Sequence, residues 1–253
     1  MYIVGDIHGQ FDRLVELLQA KELLTPDLSW AGGEAELLFI GDFVDRGTDG
    51  LRAVELAMRL EREAASAGGR VMSLVGNHEL LMVAAYKFPA YQDEFGETML
   101  ESWQRNGGEP RDLVSLEPRH IDWFQSLPAM HLERQTLFLH ADAELYLDYG
   151  QTVEEVNASF RRILGDAGPD ELNKLLEAFS EHGGFEAGGR KLARRYLQRF
   201  GGRRLVHGHT PVDKFSLLKP EQVREARSYH GGLCINVDGG LYRGGPGFVF
   251  ELS

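Results

Sequence analysis

The sequence is short of cysteine, of positive charge and of long apolar runs. A single cysteine, Cys234, stands among 253 residues. An intrachain disulfide is therefore excluded, which suits a reducing compartment. Lysine and arginine number 27 against 39 aspartates and glutamates, a formal net charge of −12. That balance argues against non-specific nucleic-acid or anionic-membrane partners, which need basic patches. No apolar run approaches the roughly 18 residues that mark a membrane span. The opening "MYIVGDIHG" has neither a basic leader nor a long apolar stretch after it, so a signal peptide is not expected. A cytoplasmic location is the expectation from these features.

What is present suits one large α/β domain over residues 1–253. Hydrophobic residues make up 43%, enough for a substantial core, and the 30 glycines gather beside polar motifs. One pattern occurs five times: a short apolar run, then a residue able to bind metal. "YIVGD" ends in Asp6, "LLFIGD" in Asp42, "VMSLVGN" in Asn77, "TLFLH" in His140 and "RLVHGH" in His209. Short apolar runs read as buried strands. Helical spacing fills the gaps. Phe11, Leu14, Val15 and Leu18 form one stripe. Leu51, Val54 and Met58 form another, behind Thr48 and Asp49 as candidate caps. Strand–helix–strand order implies parallel pairing, with functional groups gathered past the carboxyl ends of the strands. Residues 86–135 read as a helical cap. Residues 151–200 read as three amphipathic helices packed on the sheet, the first opened by a Thr152/Glu155 capping box. The tail from Gly232 reads as one or two strands with tight turns.

The motifs carry the chemistry. In "GDIHG", Asp6 and His8 lie two apart, so a β-like backbone would point both one way. A carboxylate with an imidazole suits a divalent transition metal. "GDFVDRG" adds Asp42, Asp45 and Arg46, and an arginine beside metal-holding carboxylates is placed to fork a phosphate. "VGNHE" supplies Asn77, whose carbonyl can coordinate, and His78. That histidine can donate a proton if an acid such as Asp45 orients it and keeps it charged. In "LVHGHTPV", His207 and His209 share a face if the strand continues through Gly208, so geometry alone lets both bind.

Taken together, GDIHG, GDFVDRG, GNHE, a lone histidine after a strand and GHT resemble the metallophosphoesterases. More specifically they are similar to the phosphoprotein phosphatase family, including its compact phage and bacterial members. The resemblance implies an α/β fold: a β-sandwich of two mixed sheets flanked by helices, with a two-metal site at one edge. It implies that Asp6, His8 and Asp42 hold one ion, that Asp42 bridges to a second, and that Asn77, His140 and His209 complete it. His209 is then the ligand, and His207 either supports a ligand from behind or is structural. Pro211 stands where many diesterases place a further histidine, so water would finish the first ion. Two divalent cations follow, with Mn²⁺ expected and Fe or Zn compatible with the ligand types. A hydroxide between the ions would attack phosphorus, Arg46 would neutralise phosphate oxygens, and His78 would protonate the leaving group.

The implied activity is that of a phosphomonoesterase resembling serine/threonine protein phosphatases. Its substrates would be phosphorylated proteins or peptides, or small phosphoesters. The alternative within the superfamily is a dinucleoside polyphosphate (diadenosine tetraphosphate) hydrolase. Those enzymes often lack the second acid of GDxVDRG and carry Asp where Glu79 stands. A second alternative, a non-catalytic scaffold, is disfavoured because every candidate ligand is present. The family also offers a second phosphate-binding arginine. In "SEHGGFEAGGRKLARR" the candidates for that role are Arg190 and His182. Asp142 and Glu144, just after His140, read as turn acids, as support for His140 or as a repulsive element toward acidic substrates. Oligomeric state is not legible from the sequence.

Overall fold

The computed structural model describes residues 1–252. Among the described residues, nine strands form two sheets. The first contains β1 (Tyr2–Val4), β2 (Glu36–Phe39), β3 (Arg70–Ser73) and the last strand, Val249–Glu251. The second contains β4 (Met130–Glu133), β5 (Thr136–Leu139), β6 (Arg204–His207), β7 (Arg227–Tyr229) and β8 (Cys234–Asn236), which makes Val249–Glu251 β9. Strand order is β3-β2-β1-β9 in one sheet and β4-β5-β6-β8-β7 in the other. The inner pairings β1/β2, β2/β3, β5/β6 and β6/β8 are parallel, and the pairings of β9, β4 and β7 are antiparallel. The two sheets are therefore mixed, as the family resemblance implied.

The period of two along each strand sorts side chains into two layers. Ile3, Leu38, Phe138, Val206 and Ile235, from both sheets, pack together as a central layer. Their neighbours Val4, Leu37, Phe39, Leu137, Leu139 and Leu205 face outward and join the helical core. The helices are α1 (Phe11–Ala20), α2 (Gly50–Ser66), α3 (Asn77–Lys87), α4 (Met99–Arg105), α5 (Pro110–Ser115), α6 (Pro118–Ser126), α7 (Val153–Asp166), α8 (Pro169–Phe179) and α9 (Gly184–Phe200).

The five apolar runs are all strands, and residues 151–200 hold the three helices α7, α8 and α9. Three details differ from the sequence reading. The stretch 86–135 is not wholly helical, because its end forms edge strand β4. Strand β7 follows no apolar run; its pairing with β8 makes it. Asp49 sits at the start of α2 but does not cap it, because its carboxylate takes the Thr48 hydroxyl and the Arg52 guanidinium instead. Thr152 does cap α7, accepting from the Glu155 N–H at 3.2 Å.

Candidate metal centre

Each candidate side chain lies just past the carboxyl end of a strand. β1 leads to Asp6 and His8, β2 to Asp42, Asp45 and Arg46, β3 to Asn77 and His78, β5 to His140 and β6 to His209. The backbone there is left-handed at non-glycine residues: φ is 47° at His8, 55° at Asp42, 65° at Asp45, 61° at Arg46 and 66° at His209. Such conformations cost on the order of 1–3 kcal/mol each and gather where a site fixes them. Two expectations change as a result. β1 stops at Val4, so Asp6 and His8 are brought together by a turn and not by the pleat. β6 stops at His207, so His207 and His209 do not share a strand face. His207 is buried against the Tyr229 hydroxyl, 2.7 Å from its Nε2, and only His209 enters the cluster.

Asp42 lies at the middle. Its Oδ2 is 3.5 Å from His8 Nε2, and its Oδ1 is 3.4 Å from His140 Nε2. Asn77 Oδ1 lies 3.0 Å from His140 Nε2 and 2.9 Å from His209 Nδ1. Asp6 Oδ2 is 4.0 Å from His8 Nε2, and both Asp6 oxygens accept from the His209 N–H at 3.1 Å. One carboxylate thus faces two groups of donors, each with atoms inside 4.8 Å of one another: His8, Asp42 and His78, and Asp42, His140 and His209.

The histidines are oriented for ligation. His8 Nδ1 faces the Val44 carbonyl at 3.1 Å, His140 Nδ1 the Ile40 carbonyl at 3.0 Å, and His209 Nε2 the Glu181 carbonyl at 3.0 Å. A carbonyl only accepts, so that nitrogen carries a proton, which leaves the opposite nitrogen of each ring as the one that would ligate a cation. The electrostatics ask for cations. Burial and the neighbouring Asp238 push Asp6 well above the usual carboxylate range. Burial, then Asp42, pushes Glu79 to about 7. Burial pushes Asp238 to about 6, and its Oδ2 is buried without a hydrogen-bond partner. For His140, burial opposes the charge but Asp42 outweighs it and raises the imidazole to about 10. Mixed carboxylate, imidazole and amide donors with excess buried negative charge fit a pair of divalent cations.

His78 belongs to the cluster in a different way. Its Nδ1 is 2.7 Å from Asp45 Oδ2, and Asp45 Oδ1 accepts from Trp103 Nε1 at 2.8 Å. All three side chains are fully buried. Burial pushes His78 down to about 4 and raises Asp45, the Trp103 bond offsetting part of the latter. Asp45 therefore does not hold His78 as a plain imidazolium, as the sequence suggested. Burial disfavours the separated ion pair, lowering the imidazole and raising the carboxyl across one 2.7 Å hydrogen bond.

Arg46 Nη1 donates to His8 Nε2 at 3.0 Å, and its guanidinium lies 4.4 Å above the Tyr242 ring. That ring also meets His8 edge-on at 4.8 Å. A cleft of about 650 Å³ opens from Arg46, Asn77, His182 and His209 toward Asp93, Glu94 and Phe95. Of the two candidates for a second phosphate group, His182 stacks on His209 at 4.1 Å and lines this cleft. Arg190 does not line it; its guanidinium lies against Gly231. Asp142 accepts from Thr210 and Gly183 rather than from His140. Glu144 is a surface acid 3.7 Å from Arg195.

Several roles escaped the sequence reading. Glu79 accepts from the backbone N–H groups of Asp42, Phe43 and Gly76 at 2.8–2.9 Å, tying two site loops together. Trp103, Asp238 and Tyr242 carry no local signal. They come from α4 and from the turns after β8, far from the motifs in sequence.

The calcineurin-like phosphoesterase family profile matches residues 1–213. Shewanella-like protein phosphatase 2 of Arabidopsis thaliana is 32% identical over 128 residues, 49% of this chain and 32% of that protein. A symmetrical bis(5'-nucleosyl)-tetraphosphatase of Bordetella pertussis is 28% identical over 157 residues, 60% of this chain and 47% of that protein. The matched stretches thus span less than half of these curated relatives. Among solved structures, the cold-active protein-tyrosine phosphatase of a psychrophilic Shewanella superposes with a TM-score of 0.74 at 21% identity, covering 98% of this chain and 73% of that one. That likeness is one of fold. With the family match over most of its length and the donor set above, the chain belongs to the calcineurin-like metallophosphoesterases.

Proposed function

We propose that the chain is a metal-dependent phosphomonoesterase of the serine/threonine protein phosphatase type, acting on phosphorylated proteins or peptides. The observation that carries this reading is the buried Asp45–His78 pair, whose imidazole lies in one cluster with His8 and Asp42. A monoester of serine or threonine needs a proton on a poor alkoxide leaving group, and this pair holds one.

Asp6, His8 and Asp42 would hold one divalent ion, and Asp42, Asn77, His140 and His209 the other, with Mn²⁺ as the proposed metal. Bound there, the ions supply a hydroxide near neutral pH and neutralise phosphate oxygens. The chain's own residues do the rest. Arg46 forks phosphate oxygens and is braced by Tyr242. His78 Nε2–H would donate to the departing oxygen as a proton on Asp45 passes to Nδ1 across 2.7 Å, leaving a neutral imidazole and a carboxylate, and Nε2 would be reprotonated from solvent. Trp103 keeps Asp45 aimed at His78.

A dinucleoside tetraphosphate hydrolase is the second reading, favoured by the Bordetella relative. One assay separates the two: Mn²⁺-loaded protein with phosphoserine, phosphothreonine and phosphotyrosine peptides, and with diadenosine tetraphosphate, at equal concentration. The proposal expects kcat/KM to be higher on a phosphopeptide. Preference for the dinucleotide would overturn it.

A further inference from the structure

His209 is the one candidate ligand whose orientation depends on a distant loop. The carbonyl that fixes its tautomer belongs to Glu181, in the turn between α8 and α9. His182, next along that turn, stacks flat on the His209 ring, 4.1 Å away and 12° from parallel. His8 and His140 instead take their carbonyls from the loop after β2, inside the motif region itself. The second ion's geometry is thus tied to a connection that carries no family motif.

What holds that turn is Asp142. Its Oδ2 accepts from the Gly183 N–H at 3.0 Å, and its Oδ1 accepts from the Thr210 hydroxyl at 2.6 Å. Thr210 has only one hydroxyl hydrogen, committed to Asp142, so its oxygen accepts from His182 Nδ1–H at 3.1 Å. Both Asp142 and Thr210 are buried. Gly183 has φ of 73°, a conformation other residues rarely adopt, and a Cβ on Gly184 would strike the Asp142 carbonyl. The loop is therefore seated on Asp142 at three points: the Gly183 amide, the Gly184 backbone, and His182 through Thr210.

We propose that Asp142 is the positioning residue for the second metal ion: it anchors the Glu181–Gly184 turn, and that turn aims His209 through the Glu181 carbonyl and the His182 ring. The inference rests on the two-ion reading of the site. Asp142 itself touches neither substrate nor metal. Outer partners of this kind typically change metal affinity by roughly 10- to 100-fold when removed.

The test is Mn²⁺ titration of the chelated full chain, read by calorimetry and by electron paramagnetic resonance, for wild type, Asp142→Asn and Thr210→Val. Asparagine can still accept from Thr210 but turns an N–H toward the Gly183 amide. Valine keeps the shape of threonine and removes the hydroxyl. The expected result is one site at wild-type affinity and the other about 10- to 100-fold weaker in both variants. An isolated-ion spectrum should then appear at concentrations where wild type gives a coupled pair. Excess Mn²⁺ should restore turnover of p-nitrophenyl phosphate with KM unchanged. Two sites unchanged, or two sites weakened equally, would overturn the role of Asp142. Wild type binding fewer than two ions would overturn the proposed function, and this inference with it.

Discussion

Replacing His78 by asparagine separates proton donation from every other contribution of the site. Asn places an N–H close to where His78 Nδ1 stands, so the 2.7 Å contact with Asp45 can persist. It has nothing at the position of Nε2. General acid catalysis contributes about 10²–10⁴ in rate, or roughly 3–5 kcal/mol of barrier. The leaving group decides how much of that appears. The alkoxide of a phosphoserine peptide needs the proton, so kcat should fall by about 10²–10⁴. p-Nitrophenolate is stable as an anion, so its release should slow by less than about tenfold. Because His78 also lies within ligand distance of His8 and Asp42, bound Mn²⁺ must be counted in the same preparation. The account expects two ions in both proteins, with a leaving-group-dependent loss of turnover. An equal loss on both substrates with an ion missing would make His78 a ligand. No loss on the phosphopeptide would refute proton donation altogether.

Other perturbations follow from the same geometry. Gly208→Ala places a Cβ closer than 3.0 Å to Asp6 Oδ1; it should displace that carboxylate and weaken metal binding by roughly 10- to 100-fold, measurable by calorimetry with little change in the metal-free melting point. Trp103→Phe leaves Asp45 Oδ1 buried without its 2.8 Å donor, so it should cost about 1–3 kcal/mol in denaturant unfolding and lower kcat more on phosphoserine peptide than on p-nitrophenyl phosphate. Asp112 is 6% exposed and its Oδ2 has no hydrogen-bond partner. Burial, against the pull of Arg111, raises it from 3.8 to about 6. A raised carboxylate costs stability above its folded value and nothing below its unfolded one, so Asp112→Asn should stabilise by roughly 1–3 kcal/mol at pH 8 and by nothing at pH 3, read as melting temperature.

The five apolar runs announced both the parallel strands and the place of the candidate ligands, because a buried strand ends where the chain turns toward the sheet edge. The candidate ligands were legible as a series of motifs, and the resemblance they carry gave the fold. The means of assembly was not legible. A shared face for Asp6 and His8 assumed extended backbone, whereas five residues of the cluster are left-handed, a property that tertiary contacts impose on ordinary residue types. The state of His78 depends on the burial of Asp45 under Trp103, which no local pattern reports. Asp142 stands close to His140 in sequence, which left a turn acid, support for His140 and repulsion of acidic substrates all open. The structure turns it toward Thr210 and Gly183 instead, because β6 and the α8–α9 turn converge there.

The central claim is a pair of divalent ions on a shared Asp42. The direct measurement is metal content and activity of the chelated chain as Mn²⁺ is added back, with Fe²⁺, Zn²⁺ and Mg²⁺ in parallel. The account predicts no phosphatase activity without metal, two ions bound per chain, and recovery of p-nitrophenyl phosphate turnover as the second site fills. Full activity after exhaustive chelation, or saturation at a single ion with full turnover, would contradict it.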